Sequence, residues 1–344
     1  MASLAKSLFL IFYAVSTLTM ASSAFAQATT VGSAPAGPLY SFYMTQAAES
    51  YIDSLKSMPT DEITSLDPEQ QAICEKRYAG ILKDGIIDIK IAMGYFDWSL
   101  PDPAPILLGD KNYGWSPSID LGIFASFRDF LVTPCEGTLQ FCGFHQESKS
   151  SPYFTKYVTI RGQRYLARIE MRNASISEYL INNTQTNLAA QQAQSAAMDK
   201  FFADSFANSD VLIYFGHSRN GGGPDFNYPR ILPNGHLDYA NYYKRVRPGF
   251  TKMAVDLKAS KTPPAIFALM SCDSRDHFFD SIRTLAPSMG VISSTAILNI
   301  KETFTATAGT IDAVLRGQCQ RSFYQEIRMD SSNQKFITMD GVFK

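Results

Sequence analysis

Three short apolar runs, each bounded by polar residues, constrain the fold of this chain more than any other feature. They are Asp210–Phe215, Ala265–Met270 and Gly290–Thr295, and each has the character of a buried strand. Helical spacing separates them, over residues 239–259 and again over residues 274–285. Strand, helix, strand, helix, strand is typical of a parallel sheet with crossover helices. We therefore predict an α/β fold in which a mostly parallel sheet is flanked by helices.

The rest of the chain adds a hairpin and several helices. Residues 157–160 and 165–169 flank Arg161-Gly162, which is the pattern of a strand, a tight turn and a second strand. Helical spacing is present over residues 40–58, 68–94, 186–207 and 308–328, and the second of these stretches is broken near Gly85. Residues 95–150 are rich in Pro, Gly and aromatic side chains, so we expect short strands and loops there.

The first residues have the composition of a secretory signal peptide. Lys6 supplies a positive charge, Leu8 to Leu18 carry no charge, and Ala24-Phe25-Ala26 is a small-x-small cleavage site. The apolar stretch is short for a bilayer span, and no second candidate span follows it. We expect removal of residues 1–26 and a periplasmic or secreted protein with no membrane span after cleavage.

The mature chain then divides into three predicted parts. Residues 27–38 are small, polar and contain Pro and Gly, which predicts a flexible leader. Residues 39–152 form a mixed α+β N-terminal region whose role the sequence does not indicate. Residues 153–344 hold the predicted α/β domain.

The five cysteines bear on the predicted export of the protein, because an oxidising compartment favours disulfides. Cys135 and Cys142 flank a short loop, CEGTLQFC, and are the easiest pair to bridge. A bond between Cys74 and Cys319 is possible, although spacing alone does not establish it. With these pairings, Cys272 is the thiol left over.

Charge and ligand spacing exclude other classes of function. Lys and Arg number 31 against 32 Asp and Glu, for a net charge of -1, and no long basic run is present. This is not the footprint of a nucleic-acid-binding protein. His217, Asp225, His236 and Cys272 lack the spacing of a zinc site, so we predict no metal site.

The residues that carry chemistry follow two of the predicted strands. One strand ends in Gly216-His217-Ser218 and the next in Ser271-Cys272-Asp273. Sites in open α/β sheets form outside the carboxyl ends of the strands, so neighbouring strands would bring His217 and Cys272 to one crevice. A cysteine nucleophile needs a nearby base or cation, and a helix starting after Cys272 would add a positive dipole end.

Glycines are frequent in the segment around His217. Gly216, Gly221 and Gly222 would let this loop pass close to a substrate backbone, because glycine has no side chain to obstruct the approach.

This arrangement resembles the caspase-like (clan CD) cysteine peptidases, in which an apolar strand ends in a catalytic His and a later strand ends in the catalytic Cys. The separation, 272 − 217 = 55 residues, is close to the roughly 50 typical of caspases. Ser218 stands where the family normally has Gly, and Met270-Ser271-Cys272-Asp273-Ser274 differs from the caspase pattern Gln-Ala-Cys-x-Gly.

The resemblance covers about residues 155–325 and implies a caspase-like fold. It implies His217 as general acid/base, Cys272 as nucleophile, and an oxyanion site formed by the backbone N–H groups of Cys272 and Ser218. It also implies hydrolysis of peptide or amide bonds in a protein or peptide substrate, without a cofactor.

Two other functions remain open at this point. Gly216 to Asn220 nearly matches G-x-S-x-G, the motif of a serine hydrolase with Ser218 as nucleophile, but that motif requires a helix directly after the serine. Alternatively, the chain is a catalytically inactive caspase-like binding or scaffold protein. The sequence indicates no oligomeric state.

Overall fold

The structure, a computed structural model, describes residues 38–96, 105–108, 111–115, 119–177, 180–329 and 333–344. The predicted signal peptide and all but the last residue of the predicted leader lie outside these ranges. Among the described residues, no helix combines the length and the apolar character needed to cross a bilayer.

Nine strands are described, and helices alternate with most of them. The strands are β1 (Ile86–Met93), β2 (Pro105–Leu108), β3 (Lys111–Trp115), β4 (Tyr153–Ile160), β5 (Gln163–Asn173), β6 (Val211–Phe215), β7 (Ile266–Met270), β8 (Gly290–Ser294) and β9 (Ile337–Asp340). The helices are α1 (Pro38–Lys56), α2 (Pro68–Ile81), α3 (Ile119–Val132), α4 (Leu180–Thr184), α5 (Leu188–Ser205), α6 (Pro248–Ala259), α7 (Ser274–Leu285), α8 (Ile300–Arg316) and α9 (Gln320–Glu326). A π-helical segment, Tyr239–Val246, precedes α6.

Seven strands form one sheet in the order β4-β5-β1-β6-β7-β8-β9. Strands β5, β1, β6, β7 and β8 are parallel, and the edge strands β4 and β9 are antiparallel to their neighbours. The α/β class with a mostly parallel sheet is therefore confirmed. The three apolar runs became β6, β7 and β8, and the predicted hairpin became β4 and β5.

The prediction of a helix over residues 68–94 is wrong in its second half. Helix α2 ends at Ile81, and Gly85 follows with a φ of +84°, after which the chain enters β1. Buried and half-buried positions alternate at the start of β1, which is strand periodicity. Since β1 lies between β5 and β6, the predicted boundary at residue 152 does not separate two units of the sheet.

Two other predicted stretches also differ from the structure. The stretch 308–328 is split into α8 and α9 because Gly317, with a φ of +72°, takes the left-handed C-cap position of α8. Within residues 95–150, which we expected to form short strands and loops, the structure adds the 14-residue helix α3.

Two apolar cores cover the two faces of the sheet. One contains residues of α1, α2, α3, α8 and α9, and the other contains residues of α5, α6 and α7. Helix α8 is buried from Glu302 to Arg316, and its Phe304 ring lies 4.4 Å from the ring of Phe127 in α3, measured between centroids. Packing on both faces of the sheet thus holds β6 and β7, the strands that His217 and Cys272 follow.

The structure contains the Cys135–Cys142 bond and also the Cys74–Cys319 bond that spacing alone did not establish, and Cys272 is the free thiol. Cys135 and Cys142 close a short loop, with 5.1 Å between their Cα atoms. Cys74, on α2, is bonded to Cys319, with a Cα separation of 5.6 Å and a sequence separation of 245. The second bond thus ties the first half of the chain to its last helices.

We expect the two disulfides to differ in their effect on stability. Replacing Cys74 and Cys319 together by Ala removes a cross-link over a loop of 245 residues, for which loop-closure entropy gives about 5 kcal/mol. The matched change at Cys135 and Cys142 releases a separation of 7 residues, worth about 2 kcal/mol on the same basis. Urea unfolding of both double variants measures the difference. Equal losses would show that loop length does not control stability here.

Candidate active site

His217 and Cys272 leave neighbouring strands at the same edge of the sheet. Strands β6 and β7 are parallel, and the last pair in their register is Phe215 with Met270. His217 and Cys272 each lie two residues beyond that pair. The Gly216 N–H donates to the Met270 carbonyl at 3.2 Å, which extends the contact past the strand ends. The adjacency that the sequence required is present, and the sulfur is not held in a disulfide.

Cys272 lies in the turn between β7 and α7. The next residue, Asp273, has a φ of +46°, and its N–H donates to the Ala296 carbonyl at 2.9 Å. Helix α7 begins at Ser274, as predicted, so its positive end lies beside the cysteine.

The hydroxyl of Ser274 fixes this turn to the sheet. Its Oγ donates to the Leu269 carbonyl at 2.8 Å and accepts the Ser294 N–H at 2.9 Å. Ser274 is fully buried, so water does not compete for these bonds. The position of Cys272 therefore depends on both β7 and β8.

The thiol of Cys272 is neutral in this setting. Its Sγ–H donates to the Leu298 carbonyl at 3.4 Å. Burial raises the pKa of the Cys272 thiol, and the negative charge of Asp273 raises it further. The helix end and the bond to Leu298 do not overcome these effects, so the resting site does not hold a thiolate.

His217 is held in one tautomer by a backbone carbonyl. Its Nε2 lies 3.2 Å from the Phe96 carbonyl oxygen, and its ring centroid lies 4.8 Å from that of Phe96. A carbonyl oxygen only accepts, so Nε2 carries the hydrogen and Nδ1 keeps its lone pair. The Nδ1 atom is therefore the nitrogen that can remove a proton.

The imidazole of His217 is also neutral. Burial lowers its pKa to about 3, the charge of Arg219 acts in the same direction, and the bond to Phe96 opposes both. At rest, the thiol and the imidazole that follow the paired strands β6 and β7 are thus both neutral.

Ser218, which replaces the family's Gly, needs no glycine conformation. Its φ and ψ are -71° and -16°, in the ordinary right-handed region. The unusual backbone comes directly afterwards: Arg219, Asn220 and Gly221 have φ values of 50°, 52° and 85°. Non-glycine residues in this region cost free energy and persist only where their surroundings hold them.

Arg219 provides that hold from a fully buried position. Its Nη2 donates to the Tyr95 carbonyl at 2.6 Å, its Nε lies 3.6 Å from Asp225 Oδ2, and its guanidinium faces the Tyr243 ring at 5.6 Å. Its Nε and Nη1 atoms have no hydrogen-bond partner among the described residues. The same side chain therefore fixes the loop after His217 and places a positive charge near the imidazole.

Tyr214 holds the carbonyl of His217. Its Oη donates to that oxygen at 2.9 Å and accepts the Asp225 N–H at 3.0 Å. A Cβ on Gly216 would lie 2.4 Å from the same Oη, so only glycine lets the tyrosine ring fold back here.

Gly221 and Gly222 lie close to the residues around the π-helical segment, Arg247 and Tyr243. The Gly221 carbonyl accepts Arg247 Nε at 2.8 Å, and a Cβ on Gly222 would lie 2.7 Å from the Tyr243 carbonyl oxygen. The close approach accounts for Gly222, and a φ of 85° accounts for Gly221. Their role toward a substrate stays a prediction.

The backbone N–H groups of Ser218 and Cys272 are the ones that bear on oxyanion binding. Within the described part of the chain, the N–H groups of Ser218 and Cys272 donate to no carbonyl oxygen. These are the two donors that the resemblance implies for an oxyanion. The serine-hydrolase geometry, by contrast, is not formed: a three-residue turn follows Ser218, and that residue is 4% exposed.

The structure adds Tyr95, Phe96 and Tyr214, which the sequence did not single out. It also places Asp225, considered above only as a zinc ligand, against the buried Arg219. Phe96 acts through a backbone carbonyl, which no residue pattern reveals. Tyr214 belongs to an apolar run, where an aromatic residue predicts only packing. Within the described ranges, no three His, Cys, Asp or Glu side chains are grouped closely enough to hold a metal ion.

A substitution at Gly222 tests its packing role. We expect Gly222→Ala to cost about 1–3 kcal/mol of unfolding free energy, because the added methyl meets the backbone of Tyr243. Gly80→Ala is the control: no atom lies within 4 Å of a Cβ there, and alanine favours helix α2 by about 0.5–1 kcal/mol. Chemical denaturation measures both variants. A fully stable Gly222→Ala would contradict the packing interpretation.

The pH dependence of thiol alkylation tests the neutral resting state. We expect the rate of Cys272 labelling by iodoacetamide to keep rising above pH 8.5, about the usual thiol pKa, because burial and Asp273 disfavour the thiolate. Asp273→Asn should shift the midpoint down, and Asp276→Asn, at an exposed neighbour, should leave it unchanged. Mass spectrometry of the native protein gives the rates. A midpoint below pH 7 would instead indicate a resting ion pair.

The chain was compared with family models, with curated proteins and with solved structures, and nothing matched. Its function must therefore be argued from the geometry of the site. That geometry consists of an oriented neutral imidazole and a free thiol, each two residues beyond the end of one of two adjacent parallel strands.

Proposed function

We propose that this protein is an exported cysteine peptidase of the caspase-like type, which hydrolyses peptide or amide bonds through Cys272 and His217. The observation that carries the proposal is the pairing of β6 with β7. It brings the one free cysteine among the described residues and an oriented histidine to one edge of the sheet. A thiol with an adjacent imidazole base is the minimum apparatus for covalent acyl transfer.

The reaction proceeds in two halves. His217 Nδ1 removes the proton of the Cys272 thiol as the sulfur bonds to the scissile carbonyl carbon, and the N–H groups of Ser218 and Cys272 bind the oxyanion. The imidazolium then protonates the leaving amine, and a thioester remains. In the second half His217 takes a proton from water, the hydroxide attacks the thioester, and the cysteine leaves as the thiol with that proton.

The neutral resting state has two consequences for this mechanism. Because neither group is charged beforehand, the proton moves during the attack, and the Phe96 carbonyl bound to Nε2–H stabilises the transient imidazolium. A neutral, half-buried thiol is also less prone to oxidation than a thiolate, which suits an oxidising compartment.

Export is supported by two kinds of observation. Two disulfides among five cysteines are expected of a protein that matures outside the reducing cytoplasm. The N-terminal charge, apolar stretch and small-x-small site are the sequence signal for the same route.

A second candidate function is a non-catalytic binding or scaffold protein with the same fold. Two pKa shifts favour it. The pKa of the Cys272 thiol is raised and the pKa of the His217 imidazole is lowered, which is the opposite of what an activated thiolate–imidazolium pair requires. In that case the site would recognise a peptide without cleaving it.

Hydrolysis of a diverse library of fluorogenic peptides by the chain lacking residues 1–26 tests the proposal. We expect Cys272→Ala to abolish cleavage and His217→Ala to lower it about 10²–10⁴-fold, the usual contribution of a general acid–base group. His236→Ala is the matched control, because this exposed histidine lies outside the site.

The alternatives give different results in the same assay. Cleavage that survives Cys272→Ala but is lost in Ser218→Ala, with fluorophosphonate labelling of the serine, would identify a serine hydrolase. No cleavage by a folded protein, with peptide binding retained in Cys272→Ala, would support the binding function.

A further inference from the structure

We propose that Asp120 is a positioning residue for His217 and that it acts through the backbone of Phe96. This inference rests on the proposed function, since it concerns how the base of that reaction is oriented. It assigns a role to the N-terminal region, for which the sequence indicated none.

The first step concerns the chain that leaves β1. Phe96 is 5% exposed, and its carbonyl oxygen lies 3.2 Å from His217 Nε2. Its N–H donates to both carboxylate oxygens of Asp120, at 3.0 Å and 3.1 Å. Among the described residues, this carboxylate is the acceptor of that N–H, so Asp120 fixes the position of Phe96.

The second step concerns what holds Asp120. It is the second residue of the 14-residue helix α3, where the positive helix end favours a negative charge. The residue is 3% exposed, and the Ser175 hydroxyl donates to its Oδ2. A buried carboxylate held by a helix end and a hydroxyl is a rigid anchor for a backbone N–H.

The third step concerns the preceding residue, Tyr95. Its N–H donates to the Asp225 carbonyl at 3.1 Å, and its own carbonyl accepts Arg219 Nη2 at 2.6 Å. The Tyr95–Phe96 segment is therefore held on one side by the loop that follows His217 and on the other by Asp120. Without Asp120, the hydrogen bonds from the Phe96 N–H to α3 are lost, and the Phe96 carbonyl is less firmly positioned.

The consequence is chemical. The Phe96 carbonyl places the hydrogen on Nε2 and leaves the lone pair on Nδ1, which is the atom that accepts the thiol proton. If the carbonyl moves, the alternative tautomer becomes accessible and the base is lost in part of the molecules. A wrong tautomer lowers the rate even when the residues themselves are all present.

Nitrogen NMR of the histidine rings tests this directly, because the chain has only four histidines. In the ¹⁵N-labelled protein we expect His217, assigned with His217→Asn, to be the Nε2–H tautomer. Asp120→Asn keeps the shape, but it removes the charge and places an NH2 donor against the Phe96 N–H, which now donates to both carboxylate oxygens. It should therefore weaken the hold on Phe96 and give a mixture of tautomers. Ser175→Ala is the control, because it removes the bond to Asp120 and leaves the bond to Phe96. Should Asp120→Asn not fold, Asp120→Glu carries the same test.

Alkylation of Cys272 by iodoacetamide at pH 7 links the tautomer to the reaction. We expect Asp120→Asn to slow labelling about tenfold, less than the roughly 10²-fold expected for His217→Ala. In the His217→Ala background, Asp120→Asn should have no further effect, because its action passes through the imidazole.

The outcomes separate the two proposals. An unchanged tautomer in Asp120→Asn, or an equal slowing in both backgrounds, overturns the role of Asp120 and leaves the peptidase intact. Unchanged labelling in His217→Ala overturns the peptidase, and with it the positioning role.

Discussion

The parallel register of β6 with β7 is the constraint on which the rest of the site depends. A slip of one residue would move either side chain by about 3.3 Å and turn it to the opposite face of the sheet. All five residues of each strand are buried, so a slip would disturb the packing on both faces. The burial that stabilises the sheet is thus also what brings a histidine and a cysteine to one edge.

The sequence predicted the strands of this edge because their apolar runs are short and bounded by polar residues, and it predicted α7 with the bounds that the structure shows. It missed β1 because it predicted a helix that continues past Gly85, although apolar residues alternate with Asp88 and Lys90 in the two-residue period of a strand. These two charges lie opposite Arg168 and Glu170 in the β1–β5 register and form ion pairs with them. Cross-strand pairing of charges depends on a partner far along the chain, and a single segment does not reveal it.

The same miss explains why the orientation of His217 could not be predicted. The imidazole and the thiol are side chains, and a sequence shows them by type and spacing. Their partners are the carbonyls of Phe96 and Leu298, which every residue possesses. Such groups become specific only through the path of the chain, and here that path runs through a strand which the pattern assigned to a helix.

For the proposed peptidase reaction, electrostatics and backbone strain together indicate the source of the rate enhancement. Neither the Cys272 thiol nor the His217 imidazole is charged at rest, so pKa matching contributes little. What the fold supplies instead is geometry: three successive left-handed residues after His217 are held by the buried Arg219. The buried anchor limits how far this loop can rearrange. In the proposed mechanism, the Ser218 N–H and the His217 base are therefore in place before the reaction, and fixed dipoles of this kind act on the charge that develops in the transition state rather than on the ground state.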